Sequence, residues 1–351
     1  MCFKVSVIVP VYGVEHYIER CARSLFEQTY PNLEFVFVND CTVDKSMEIL
    51  KTVMADYPER KESVRIVGHE NNRGLAAARN TGLDNARGDF VCLVDSDDWL
   101  ELNALELLVK KQVETKSDLV SGNRMVHYPD KDCILQERQY QDREEMTVEM
   151  MQHFSYHFIT GRLIKRSLFV DNRLQWKEGL DGAEDRYMMT LLAYYVQVFA
   201  VVDSVVYHYE RRNVNAITMS RDMQRIFCNN EQELGNVLLL KQFFHGKESV
   251  YQEECAKWVM RQLEHNLNIA LAYSSKGEFE KIVCALDGYS NEEWGIIGWG
   301  KTGVKGWRLH NFRWMRLNWL KGKAVRYVKK GLSKTKSFPM SSQCVLIDTP
   351  N

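Results

Sequence analysis

The chain has no C-x-x-C pair, although it contains nine cysteines. An odd count without that spacing argues against a disulfide framework or a zinc site and predicts reduced thiols in a cytosolic setting. No run of 18 apolar residues occurs, so no segment is expected to span a membrane. The opening residues Met1-Cys2-Phe3-Lys4-Val5-Ser6 lack the apolar region of a secretory signal, and the expected location is therefore the cytoplasm. There is no internal repeat and no low-complexity segment. Acids are missing from one long stretch: Trp294 to Ile347 holds 12 Lys or Arg and no Asp or Glu. The remainder has 34 bases against all 47 acids, so the formal net charge of -1 hides an acidic body with a basic tail.

What is present is globular in character. The 351 residues are 45% hydrophobic and 26% charged, enough for one large domain with an appendage or for two domains. Apolar strands alternate with helix-like segments through residue 98. Strands are predicted at 5–11, 34–38, 64–67 and 90–94, and helices at 14–28, 44–57 and 76–86. That alternation predicts an α/β fold, a Rossmann-like, mostly parallel sheet flanked by helices. Further on, a helix is expected over 104–115, a strand over 118–126, loop over 129–145, a helix over 186–196 and a strand over 199–209. From 221 to about 287 the pattern is helical, a helical C-terminal extension.

Ligands of such sheets bind at the carboxyl ends of the strands. Just past the first strand come Pro10, Val11 and Tyr12. Past the second come Asn39, Asp40 and Asp44, and past the third Asn71, Asn72, Arg73 and Gly74. Past the fourth stand Asp95, Asp97 and Asp98. These polar groups converge on one rim, which core folding alone does not require. In Val91-Cys92-Leu93-Val94-Asp95-Ser96-Asp97-Asp98-Trp99 three carboxylates fall within four positions at the end of a buried strand. Their mutual repulsion calls for a counter-charge, and hard oxygen ligands suit Mg²⁺ or Mn²⁺. The plainer alternative is a capped turn entering a helix.

Taken in order, Ser6-Val7-Ile8-Val9-Pro10-Val11-Tyr12, Val38-Asn39-Asp40-Cys41-Thr42-Val43-Asp44, Asn72-Arg73-Gly74-Leu75-Ala76-Ala77-Ala78-Arg79-Asn80, Val94-Asp95-Ser96-Asp97-Asp98-Trp99 and Glu184-Asp185 form a set. It closely resembles family 2 glycosyltransferases of the GT-A fold over roughly residues 4–218. The resemblance implies a GT-A catalytic domain at 1–218, with a nucleotide-binding half at 1–98 and an acceptor half at 99–218. A helical extension at 219–293 and a basic, Trp-rich tail at 294–351 follow.

The resemblance also implies roles. Pro10, Val11 and Tyr12 would frame the base of a nucleotide, and Asp40 would accept hydrogen bonds from base or ribose. Arg73 and Arg79, near a helix N-terminus with Gly74, would face the diphosphate of the donor, or else are solvated helix charges. Asp95, with Ser96 beside it, would contact the ribose side. Asp97 would ligate Mn²⁺ or Mg²⁺, and His208 is a second metal candidate or a packed histidine at a sheet edge. Asp185 is the candidate general base, and Glu184 would bind the acceptor or hold the base. One departure stands out. The family has Gly-Ser where this chain has Cys41-Thr42, so Cys41 puts a side chain where Gly allows φ > 0.

The expected reaction is inverting transfer of a sugar from a UDP-sugar donor to a saccharide or lipid-linked acceptor in surface polysaccharide synthesis. Two rivals are a nucleotidyltransferase, which would release pyrophosphate, and a non-catalytic nucleotide-sugar-binding protein. Five of the eight Trp lie in the tail among its 12 bases, which suits an anionic membrane surface; a basic appendage packed on the acidic body is the alternative. A nucleic-acid partner is not expected, since no recognition motif accompanies the charge. Gly295–Thr302 formally matches a phosphate loop and Gly298–Gly303 a dinucleotide motif. Both lack the flanking strand and helix and are read as coincidence.

Overall fold

The computed structural model describes residues 3–152, 157–213, 222–273, 275–286 and 344–346. The chain divides into two compact units, residues 1–220 with 343–351, and residues 221–342. The phosphate-loop and dinucleotide matches lie outside the described residues. So does the basic tail, except for a short strand near its end.

The first unit is a mixed α/β structure. Its first half contains β1 (Val5–Val11), α1 (Ile18–Phe26), β2 (Leu33–Asn39), α2 (Ser46–Ala55), β3 (Val64–Gly68), α3 (Leu75–Asn85) and β4 (Phe90–Leu93). A 3₁₀ turn, Pro58–Ser63, leads into β3. The four strands are parallel in the order β3-β2-β1-β4. β1 and β4 are buried along their whole length and β2 nearly so, covered on both faces, which is why they read as unbroken apolar runs. Val7, Val9, Phe35, Phe37 and Cys92 share one core with Leu25 and Phe26 of α1. On the other face, the small Ala76, Ala77 and Ala78 are buried in α3.

The second half contains β5 (Trp99–Leu100), α4 (Ala104–Thr115), β6 (Leu119–His127), β7 (Asp132–Leu135), α5 (Arg143–Gln152), β8 (Leu163–Lys165), α6 (Arg166–Asp171), α7 (Glu184–Tyr195) and β9 (Phe199–Glu210). β8 pairs antiparallel with both β4 and β6, so it splices the second half onto the parallel half. β9 runs parallel to β6 with a bulge near Asn123 and pairs antiparallel with β5. The loop expected over 129–145 instead contains β7 and the start of α5. β7 pairs with β6 and with the late strand β10 (Cys344–Leu346), a partner some 200 residues away that local pattern cannot reveal. Cys133 on β7 is disulfide-bonded, which corrects the expectation of reduced thiols throughout. Cys21, Cys41, Cys92, Cys228 and Cys255 are free.

Among the described residues the second unit contains α8 (Met223–Phe244), α9 (Ser249–Ala272) and α10 (Lys276–Leu286). α9 packs against both others, burying Trp258, Leu263 and Leu267 with Phe244 and Phe279. Among the described residues no helix is long and apolar enough to cross a membrane.

Candidate active site

The rim residues come together at the carboxyl ends of β1, β2 and β4. Asp40 follows β2 and is almost wholly buried. Its carboxylate accepts from the backbone N–H groups of Arg73 and Gly74, each at 2.8 Å, and lies 2.6 Å from His69 Nδ1. The other ring nitrogen of His69 is 2.9 Å from the Thr81 hydroxyl. Asp40 thus fixes the turn that launches α3. Tyr12, which follows β1, is half exposed.

Cys41 adopts φ +58°, the left-handed conformation for which its family counterpart is glycine. Nothing in its contacts offsets the strain beyond a bond from its thiol to the Glu70 carbonyl at 3.6 Å. The left-handed penalty is about 1–2 kcal/mol, and glycine gives back part of it as chain entropy. Cys41→Gly is therefore expected to stabilise the fold by about 0.5–1 kcal/mol, read as a rise in thermal midpoint. An unchanged or lower midpoint would show that Cys41 makes a compensating contact.

The segment 177–185 runs along α3, and three of its acids meet α3 at matching three-residue steps. Glu178 pairs with Arg73 at 2.6 Å. Asp181 accepts from the Ala76 N–H at 2.8 Å, and a Cβ on Gly74, at φ +89°, would collide with the same carboxylate. Glu184 and Asp185 meet Arg79 at 2.9 and 2.5 Å. Arg79 also reaches Asp95 at 3.1 Å. This arginine is 1% exposed, so it is no solvated helix charge. Burial alone would lower its pKa, but Asp185, Asp95 and Glu184 together hold it above the ordinary value. Arg73, by contrast, is well exposed with its partner.

Three acids on one guanidinium leave an excess of negative charge. Burial first, and then the charge of Asp185, raises Glu184 well above the usual carboxylate range. Glu184 thereby keeps a proton where a solvated glutamate would lose it. Glu184 and Asp185 open α7, whose N-cap Ala183 is left-handed at φ +54° and turns the pair inward. The second Asp185 oxygen accepts from the Ile159 N–H at 3.3 Å.

The acidic turn after β4 divides its labour. Asp98 is buried and structural: it accepts from the Tyr207 hydroxyl at 2.6 Å and from the Glu210 N–H at 2.8 Å. Asp97 accepts from the Asn213 amide at 2.8 Å. Its pKa is pushed up to about 6, by burial and then by Asp95. Ser96 is buried between them. The Asp97 carbonyl is held by Arg20, which also pairs with Glu210 and lies 3.5 Å over the Trp99 ring.

His208 sits in a stack with Trp99 and His127. Its Nδ1 is 3.0 Å from His127 and its Nε2 is 2.8 Å from Glu101, so both ring nitrogens are engaged. Among the described residues no group of three or more His, Cys, Asp or Glu is arranged to enclose a metal ion. Arg20, Tyr207, Asn213 and Asp181 escaped the sequence reading. Only the acid spacing 178, 181, 184, matched to 73, 76, 79, could have pointed to one of them.

An α/β sheet with this acidic strand-end rim, and a helix delivering two more acids to it, makes a ligand site at the carboxyl ends of the strands. Residues 6–172 match the model of glycosyl transferase family 2. The chain carries a family 2 glycosyltransferase domain with the GT-A fold. It is 48% identical to the glycosyltransferase GlyA of Streptococcus pneumoniae over 120 residues, 34% of this chain and 16% of GlyA. It is 32% identical to the uncharacterized glycosyltransferase EpsJ of Bacillus subtilis over 224 residues, 61% of this chain and 62% of EpsJ. The chain thus spans less than two thirds of either relative. The fold is similar to that of S. aureus TarS 1–349 in complex with UDP-GlcNAc, at TM-score 0.66 and 16% identity, covering 98% of this chain and 96% of TarS 1–349.

Proposed function

We propose that the protein is an inverting, metal-dependent glycosyltransferase. It moves a sugar from a UDP-sugar to a hydroxyl of a saccharide or lipid-linked saccharide acceptor in bacterial surface polysaccharide synthesis. Residues 1–98 bind the nucleotide and 99–218 the acceptor. The observation that carries the reading is the grouping of Asp95, from the donor side, with Glu184 and Asp185 on the single buried guanidinium of Arg79. The bound UDP-GlcNAc of TarS supports the choice of donor.

Pro10, Val11 and Tyr12 frame the base, with Asp40 and Arg73 closing that end. Asp95 faces the ribose. Asp185 removes the proton from the acceptor hydroxyl as its oxygen attacks the anomeric carbon in line with the departing diphosphate. Protonated Glu184 donates a hydrogen bond to the acceptor instead of competing as a base. Arg79 holds the carboxylates in register. Arg211 and Arg212 follow β9, and Arg212 is paired with Glu210.

Asp97 fits a divalent cation on the chemistry of its surroundings: a buried acid made difficult to ionise by a neighbouring acid gains most from a cationic partner. Mg²⁺ and Mn²⁺ sites of this kind use one or two carboxylates and complete their shell with substrate phosphates. The chemistry supplied by such an ion is neutralisation of the leaving diphosphate. His208 is already committed to His127 and Glu101, so the ligand role falls to Asp97. The basic tail is proposed to contact anionic membrane from the cytoplasmic side.

The pH dependence follows from Asp97. Its folded-state pKa of about 6 lies above the unfolded value of 3.8. Without metal, the folded state keeps a proton that the unfolded chain releases, so this group's contribution to stability falls as pH rises from about 4 to about 6. Metal binding needs the ionised form and works the other way. The stabilisation by Mn²⁺ with UDP, read by thermal shift, is expected to grow as pH rises through 6 and to vanish in Asp97→Asn. A pH-independent shift, or one that survives the substitution, would remove Asp97 from the cation site.

A further inference from the structure

Asp185 is held from a second direction. The Ile159 N–H that donates to it belongs to the short segment Phe158–Gly161, and two buried arginines grip the carbonyls on either side. Arg124 of β6 donates to the Phe158 carbonyl at 3.5 Å, to the Thr160 hydroxyl at 3.3 Å and to the Thr160 carbonyl. Arg162 donates to the Phe158 carbonyl at 2.6 Å and to Ser121 at 2.8 Å, and pairs with the buried Glu137 at 2.9 Å. Arg124 is 3% exposed and Arg162 is fully buried.

The same segment is tied to the donor side. The Gly161 N–H donates to the Leu93 carbonyl at 2.9 Å, at the end of the strand that leads into Asp95. Arg124 lies over the rings of Phe158 and Tyr207, at 4.6 and 5.0 Å. The Tyr207 hydroxyl in turn accepts from the Asp95 N–H and donates to Asp98. Gly161, at φ +67°, is packed so closely that a Cβ would meet the Tyr207 ring at 2.5 Å. Two guanidiniums and one carboxylate, Glu137, leave a buried cation in excess, which is costly unless it acts on other acids. Asp185 and Asp95 are the acids that feel it.

We propose that Arg124 and Arg162 are positioning residues for the base: by clamping the carbonyls of Phe158 and Thr160 they aim the Ile159 N–H at Asp185 and fix that carboxylate relative to the acidic turn after β4. The inference rests on Asp185 being the base. Loss of the clamp acts first on Asp185; it reaches the donor side only through Leu93 and Tyr207, while Asp40 and Arg73 at the base end are held by other partners. A misplacement of about 1 Å at a reacting group costs up to about 100-fold in rate.

The test uses the full chain with Arg124→Met, Arg124→Lys and the milder Thr160→Val. Three readouts are hydrogen–deuterium exchange of the peptide covering 157–163, UDP binding with Mn²⁺, and turnover of UDP-GlcNAc. Arg124→Met is expected to speed amide exchange in that peptide and lower turnover about 10- to 100-fold with a much smaller loss of UDP affinity. Arg124→Lys keeps the charge but not the fork, and should fall between. Thr160→Val should shift both readouts in the same direction by less. If Arg124→Met and Thr160→Val leave exchange at 157–163 and turnover as in the wild type, the clamp has no such role. Equal losses in UDP affinity and turnover would also overturn it. Asp185→Asn separates the two ideas. Full turnover in that variant refutes the base, whereas lost turnover there beside unchanged Arg124 variants refutes only the clamp.

Discussion

Asp185→Asn is expected to bind UDP with Mn²⁺ as the wild type does and to turn over UDP-sugar about 10²- to 10⁴-fold more slowly, the usual contribution of a positioned general base. The substitution keeps the shape and one acceptor, which serves Arg79, while its NH2 turns to the Ile159 N–H and that one bond is lost. The capacity to take a proton goes as well. Glu184 does not substitute, since it holds its own proton. Product analysis by chromatography of released UDP, together with calorimetry of UDP, separates the two effects. Full turnover in Asp185→Asn would reassign the base, and lost binding would make Asp185 part of the donor site.

Arg79→Met should be the most damaging single change to the fold near the site. It strands Asp95, Glu184 and Asp185 around a methionine, without the guanidinium that all three contact. Removing one partner of a buried ion pair costs about 3–5 kcal/mol, which is a large part of the stability of a typical domain. Part of that cost is recovered as the carboxylates take up protons, so the destabilisation should be smaller at pH 5 than at pH 8. Urea unfolding at both pH values reads the difference. A loss below about 1 kcal/mol at pH 8 would mean that Arg79 is a surface charge after all. Arg79→Lys keeps one charge but cannot reach three acids from one planar fork, and should fall between the two.

The parallel half of the fold was legible because its strands are covered on both faces and must be apolar throughout. Val5–Val11 is read from the sequence with the same limits that the structure shows. The segment around 129–145 was not, because β7 and the start of α5 are polar outside and owe their order to partners distant in sequence. α5 buries only Met146, Thr147, Met150 and Met151 of its ten residues. At the site, the acidic turn and the Glu184-Asp185 pair stood out because like charges rarely gather without a reason. Arg79 was singled out too, but as a diphosphate contact and not as their organiser, because Glu184 and Asp185 lie 105 and 106 residues away from it. The resemblance already set Asp97 apart from Asp98 in the acidic turn; the partners that hold Asp98, the Tyr207 hydroxyl and the Glu210 N–H, were hidden because they lie more than 100 residues away.

The most direct test of a metal-dependent UDP-sugar site is calorimetric titration of UDP and UDP-GlcNAc into the full chain, with and without Mn²⁺, for wild type, Asp97→Asn and Asp185→Asn. The expected result is saturable binding to wild type and Asp185→Asn that strengthens with Mn²⁺, and no Mn²⁺ effect in Asp97→Asn. Absence of binding to the wild type, or a Mn²⁺ effect undiminished in Asp97→Asn, would contradict it.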